Sequence, residues 1–150
     1  MNTATTQYVG IDVSKSQLDC ALLQDDMQVV STQFQNNAAG HVALLGWLRR
    51  HANDSLVVVE ATGGYEAAMV ATLATGGLRV AVVNPRQVRD FAKATGVLAK
   101  TDAIDARVLA QFGRAIQPQV RAPKTEELAE LEAVLTRRRQ LIEMIKLIFI

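Results

Sequence analysis

Residues 7–24 read "QYVGIDVSKSQLDCALLQ", and how this stretch divides decides the fold. Its first part, "QYVGIDVSK", is a short apolar run that fits a buried strand ending at Asp12. Its second part, "QLDCALLQ", alternates apolar and polar residues, and "MQVVSTQFQ" does so again beyond the turn "DD". That alternation is what an antiparallel hairpin produces. A buried strand feeding a hairpin leads to a sheet that carries antiparallel pairs.

The rest of the chain adds parallel partners. "AAGHVALLGWLRRH" (38–51) predicts a helix with an apolar stripe of Val42, Leu45 and Leu48 and a basic C-terminus. "SLVVVEATGG" (55–64) is the strongest strand, with Glu60 at its C-terminal end. "YEAAMVATLATGG" reads as a helix closed by glycine, and "LRVAVVNP" as a buried strand stopped by Pro85. Helices follow at Arg86–Ala94 and Asp102–Ile116, with the loop "TGVLAKT" between them. After the connector "QPQVRAPK" no helix breaker occurs from Thr125 to Ile150. Leu128, Leu131, Leu135, Ile142, Ile145 and Phe149 keep a 3-and-4 spacing interrupted by Arg138, the pattern of a coiled coil, and Val134, Leu141 and Ile148 widen the stripe. Strands alternating with helices predict an α/β protein: a mixed sheet flanked by helices, followed by a long C-terminal coiled-coil-type helix.

Composition narrows the function classes. The chain has 150 residues, 49% of them hydrophobic and 21% charged, in keeping with an ordinary globular fold. Its one cysteine, Cys20, falls in a strand and reads as a packing thiol. His41 and His51 have no partners at zinc-ligand spacing. No apolar run approaches the ~20 residues of a membrane span, and no basic-then-apolar leader opens the chain, so a cytoplasmic location without membrane association is expected. The net charge of +1 conceals a gradient, −4 over residues 1–76, +6 over 77–124 and −1 over 125–150. A basic middle surrounding a few carboxylates suits a polyanion such as nucleic acid, and also suits a solvated charged face.

Those carboxylates are the candidate chemistry. In sheets of this kind, sites form outside the C-terminal ends of strands, where Asp12 and Glu60 are expected. "KTDAIDA" (100–106) adds Asp102 and Asp105, about 5–6 Å apart if both lie on one helical turn. Two readings fit the pair: a helix start, with Asp102 as cap and Asp105 in the first turn, or a metal site. Asp12 as a turn residue and Glu60 as a salt-bridged rim residue are the corresponding plain readings. Gathered together, the four would repel one another, and a hard divalent cation resolves the conflict. Oxygen ligands favour Mg²⁺ or Mn²⁺, and paired ions of that kind serve phosphodiester chemistry. Lys15 and Lys100 are then either surface lysines or phosphate contacts.

In order and at suitable spacing, "YVGIDVSKSQLDCAL" (8–22), "VVVEATGGYE" (57–66) and "VVNPRQVRDFAKATGVLAKTDAIDA" (82–106) resemble the N-terminal domain of DEDD transposases of the insertion-sequence-110 family, related to Piv-type DNA invertases. The resemblance runs from Tyr8 to Gln117 and into the charged helix. It implies an RNase H-like (RuvC-like) catalytic domain over 1–117, a linker and coiled-coil helix over 118–150, and a tetrad of Asp12, Glu60, Asp102 and Asp105. It also implies magnesium, DNA cleavage and strand exchange during element movement, and a structured guide RNA as partner. Family members carry a further C-terminal domain with a proposed serine nucleophile. "KLIFI" ends this sequence before that domain, so an incomplete recombinase is expected. Ser14 and Ser16, near Asp12, have no base beside them and read as turn residues.

The combined expectation is a metal-dependent DNA-processing domain. Arg86, Arg89, Lys93, Lys100 and Arg107, with Lys15, would contact backbone phosphates, and the 125–150 helix would mediate self-association. The alternatives are a non-enzymatic nucleic-acid-binding or dimerisation module, and an actin-like nucleotide-binding fragment. The last rests on "GIDVS" and "ATGG", which resemble phosphate-cradling turns.

Overall fold

The computed structural model describes residues 6–24, 28–96, 104–120 and 126–148, and side chains in the last segment from residue 133. Strand β1 (Gln7–Val13) pairs antiparallel with β2 (Gln17–Leu23), which pairs antiparallel with β3 (Val29–Gln35). Helix α1 (Ala38–His51) then crosses to β4 (Ser55–Glu60), and α2 (Ala67–Thr75) crosses to β5 (Arg79–Val83). Both β1–β4 and β4–β5 are parallel, giving one mixed sheet in the order β3-β2-β1-β4-β5. Helices α3 (Pro85–Ala94), α4 (Ala106–Ile116) and α5 (Glu126–Ile148) complete the order. The mixed sheet with its helices is as the sequence led us to expect.

The alternation of side chains along each strand divides the core in two. Val9, Ile11, Leu18, Leu22, Val57 and Val59 face α1 and α2 and meet Leu44, Leu48, Met69 and Leu73. Leu56, Val58, Ala81 and Val83 face the other way and meet Val88, Leu109 and Phe112 of α3 and α4. Cys20 belongs to the first layer, where burial, and then the charge of Asp19, pushes its thiol up to about 12. Pro85 does not merely stop β5. It occupies the first turn of α3, where its missing N–H costs nothing, and the Asn84 side chain accepts the Arg86 N–H as cap.

Helix α4 lies unusually close to β1, and the reason is Gly10. A Cβ at Gly10 would lie 2.6 Å from the Ala110 nitrogen and collide with the Ala106 carbonyl. Alanines at 106 and 110 and glycine at 113 give the helix a small-residue stripe on that side. A Cβ at Gly113 would come within 2.6 Å of the Val58 side chain. The approach is backbone to backbone, so it fixes where the start of α4 must be.

Several local expectations are corrected. Val42 is 66% exposed, and the buried stripe of α1 is His41, Leu44 and Leu48. His41 is accommodated by its Nε2, 2.7 Å from Asn36 Oδ1. Helix α2 begins at Ala67 because Glu66 folds back over the preceding glycines. Helix α4 begins at Ala106, with Asp105 extended (φ −114°, ψ 178°) and its Oδ1 accepting the Val108 N–H at 3.0 Å. Asp105 is therefore the cap and not a first-turn residue. The expected loop at 95–101 and the turn at 25–26 fall largely or wholly outside the described residues, as do Asp102 and Lys100.

The last helix, α5, has 23 residues, about 34 Å at the usual rise. A coiled coil needs a second helix, and among the described residues Leu135, Ile142 and Ile145 are left exposed, so the expected coiled coil is not shown. Among the described residues no helix is long and apolar enough to cross a membrane.

Gly10→Ala should lower the unfolding free energy by about 1–3 kcal/mol in urea titration, the usual cost of overpacking. Gly46→Ala, in the middle of α1 with only an Arg50 side-chain atom at 3.8 Å, should instead stabilise by about 0.5–1 kcal/mol.

Candidate functional site

The strand register sets the site. Tyr8, Gly10 and Asp12 alternate onto the α4 face of β1, and Leu56, Val58 and Glu60 onto the same face of β4. Ile11 pairs with Val59, so the next residues along, Asp12 and Glu60, finish adjacent parallel strands together. On the other side Asp12 lies directly opposite Asp19 of β2, and Asp19 opposite Gln33 of β3. Above this row sits the start of α4, held down at Gly10, with Asp105 as its cap.

The electrostatics follow from that packing. Burial first, then the charges of Asp19 and Asp105, raises the Asp12 carboxyl above the ordinary aspartate range. Burial and then Asp12 raises Glu60, with Arg89 of α3 partly offsetting the repulsion. Asp12 therefore senses Asp19 and Asp105, and Glu60 senses Asp12. Among the described residues, neither Asp12 nor Glu60 is held in an ion pair. Nor do any three His, Cys, Asp or Glu side chains there stand close enough to grip one cation.

Of the acidic residues expected in the site, Asp12, Glu60 and Asp105 are described and lie toward the same end of the sheet without converging on one point, while Asp102 lies outside the described residues. Among the expected cations, Arg89 acts on Glu60 and Arg107 lines the cleft beside Asp12. Lys15, Arg86 and Lys93 are exposed, with no comparable link to the carboxylates among the described residues. Ser14 turns inward: its hydroxyl donates to the Gln17 carbonyl and accepts the Gln17 N–H, closing the β1–β2 turn. Asp19 was not anticipated. The period-2 pattern of "QLDCALL" was the available signal, since it puts Asp19 on the face opposite Leu18 and Cys20, but only the hairpin register shows that it lies across from Asp12.

A cleft of about 620 Å³ opens beside the row, lined by Asp12, Asp19, Ser31, Gln33, Asp105 and Arg107 among others. The loop after Glu60 is braced from two sides. Glu66 Oε2 accepts the Thr62 hydroxyl at 2.6 Å and the Thr62 and Gly64 N–H groups at 3.3 and 3.2 Å. Arg139 of α5 donates to the Gly63 carbonyl at 3.0 Å. Burial opposes ionisation of Glu66, but these hydrogen bonds prevail and hold its carboxyl below the ordinary range. The N–H groups of Thr62 and Gly64 are thus already used. A phosphate cradle at "ATGG", as in an actin-like nucleotide fragment, would have to displace Glu66 first.

The metal implied by the residue pattern fits the donor set. The ligands are hard oxygens, two of them near strand ends where burial first and neighbouring carboxylates second raise the carboxyls, an imbalance a divalent cation relieves. Asp105 caps through one oxygen, and a carboxylate has a second to offer.

The profile of a family of transposases, the DEDD group of insertion sequence 110, matches residues 9–146. The pilin gene-inverting proteins of Moraxella lacunata and Moraxella bovis are each 33% identical to the chain over 144 residues. The match covers 91% of this chain and 44% of each relative, so the chain spans under half their length. The Thermus thermophilus RuvC structure aligns with a TM-score of 0.47 and 18% identity, covering 83% of this chain and 88% of that one.

Glu66→Gln should cost about 1 kcal/mol at neutral pH, the net worth of a typical hydrogen bond. Because the folded carboxyl is held low, its contribution is present above the ordinary glutamate value and lost as pH falls through the lowered one. Urea midpoints of wild type and Glu66→Gln should therefore converge on acidification.

Proposed function

The chain belongs to the DEDD transposase family of insertion sequence 110, and from that premise we propose that it is the metal-dependent catalytic domain of a DNA recombinase with an RNase H-like (RuvC-like) fold. The observation that carries this reading is the placement of Asp12 and Glu60 side by side near the ends of adjacent parallel strands, with Asp105 at the start of α4, the helix that Gly10 holds against β1. Asp12, Glu60 and Asp105, with Asp102, would hold Mg²⁺ or Mn²⁺. When bound, the ion would polarise the phosphodiester and stabilise the charge that develops on its oxygens. The protein's own work is positional. The ends of β1 and β4 fix two carboxylates, and the α4 cap brings a third over them.

DNA is the proposed substrate, cut and exchanged at the phosphodiester, as suits relatives named for inverting a gene. Arg89 and Arg107 would meet phosphates nearest the reacting one, and Lys15, Arg86, Lys93 and Lys100 would meet them farther out. In this reading residues 1–117 form the catalytic unit and 118–150 a linker and pairing helix. The remainder of the family's full-length proteins supplies a serine-bearing domain needed for complete recombination. The exposed apolar residues of α5, with Val134 at 64% and Ile148 at 73%, support self-association through this helix. A structured guide RNA and a cytoplasmic setting belong to the proposal on the strength of family membership alone.

Titration calorimetry with Mn²⁺ tests the centre. Asp12→Asn and Glu60→Gln should each weaken binding at least about tenfold. Metal affinity that ignores both substitutions would favour a non-enzymatic nucleic-acid-binding module. Separately, replacing Arg86, Arg89 and Lys93 by alanine should lower affinity for any DNA sequence and flatten the dependence of log K on log salt, by about one for each phosphate no longer neutralised.

A further inference from the structure

The row across the sheet does not stop at the carboxylates. From Glu60 it runs through Asp12 and Asp19 to Gln33 on β3, with Ser31 two residues along the same strand face, opposite Ala21. At about 4.8 Å per strand, Gln33 lies about 10 Å from Asp12. Helices α3 and α4 cover the β5, β4 and β1 part of this face and reach over β2, where Ala21 is buried. Ser31 and Gln33 are exposed, and they form the far wall of the cleft whose near wall is Asp105 and Arg107.

We infer that this uncovered part of β3 is a shelf for an unpaired DNA strand, with Ser31 and Gln33 seating the nucleotide next to the phosphate held at Asp12 and Glu60. The inference rests on the phosphodiester reading above and assigns the path of the strand across the sheet. Three features carry it. The cleft, about 620 Å³, has the size of a site for a small organic ligand, so a nucleotide or two of a single strand fills it. Its charge is graded. Asp12, Asp19 and Asp105 repel a phosphate unless a cation intervenes, whereas the shelf beyond them is neutral and offers hydroxyl and amide groups suited to sugar and base edges. Arg107 gives the same cleft one cation to take the adjoining phosphate.

Two further contacts define the shelf. Gln17 donates from Nε2 to Asp19 Oδ1 at 3.0 Å, which ties that carboxylate to its own strand. The aromatic pair Phe34–Trp47 lies on the opposite face of β3, its ring centroids 6.2 Å apart, so stacking is directed into the core layer and recognition here is by hydrogen bonding.

The test is fluorescence anisotropy with the full chain in magnesium, comparing a labelled single-stranded oligonucleotide with its duplex. The double variant Ser31→Ala, Gln33→Ala should bind the single strand about tenfold more weakly, as loss of two or three exposed hydrogen bonds implies. Its thermal midpoint and Mn²⁺ affinity should match wild type. Asn53→Ala, an exposed polar change next to the start of β4 at the far end of the sheet, should leave binding as it was. An unchanged single-strand affinity in the double variant would overturn the shelf, as would an equal loss on the duplex. Failure of the metal centre would show differently, as Mn²⁺ binding that survives Asp12→Asn while the oligonucleotide result stands.

Discussion

Everything at the functional end of this molecule depends on the contact between Gly10 and the first turn of α4. A helix normally rides on a sheet at the height of its side chains. Here the Ala106 carbonyl and the Ala110 nitrogen occupy the space that a Cβ at residue 10 would need. Because Gly10 and Asp12 share a strand face, lowering the helix onto the first brings the helix start over the second. Asp105, as cap, is the residue at that start. The capping hydrogen bond and the glycine contact thus act together: one fixes where the helix begins, the other how near the sheet that beginning stands. The small stripe Ala106, Ala110 and Gly113 continues the same close approach toward β4.

The same segment, "EATGGYE", shows how environment separates identical residue types. Glu60 and Glu66 are both half-buried, yet their carboxyls move in opposite directions. Glu66 faces N–H and hydroxyl donors from Thr62 and Gly64, and its charge is spent holding a loop in which Gly63 and Gly64 take positive φ. Glu60 faces Asp12, with Arg89 a partial counterweight. The first is a brace and the second an unbalanced charge. Arg139 reaches the same loop from α5, so the long helix is tied to the segment that immediately follows Glu60.

Much of this was legible in the sequence because it is local. The apolar run of β4, the alternation of β2, and the glycine and proline stops each depend on neighbours within a few residues. Glu60 at its strand end and Asp12 one residue short of its own were placed by the same signals. What escaped was relational. Asp19 looked like any outward-facing strand residue until the hairpin register set it against Asp12. The start of α4 was misplaced because "TDAID" offers two aspartates able to cap, and the sequence alone does not say that Asp105 caps the helix packed on Gly10. Val42 fitted a helical stripe by spacing, but α1 presents His41 to the sheet instead, since Asn36 meets its ring nitrogen while donating to Ser14 and Tyr65 carbonyls.

Charge at this edge is only partly compensated by the protein itself. The start of α4 carries the positive end of its dipole, worth roughly 0.3–1 kcal/mol to a nearby carboxylate, and Arg89 adds to it on the Glu60 side. Against these stand Asp12, Asp19, Glu60 and Asp105 on neighbouring strands and one helix cap. Burial and these neighbours together still raise Asp12 and Glu60 above their ordinary ranges. A fold that only needed stability would relieve this crowding by replacing one carboxylate, as exposed pairs elsewhere do with a simple ion pair such as Arg79–Asp54. Retaining all four where two parallel strands end, beside an open cleft, makes sense if an external positive charge completes the site. The proposed cation would supply that charge.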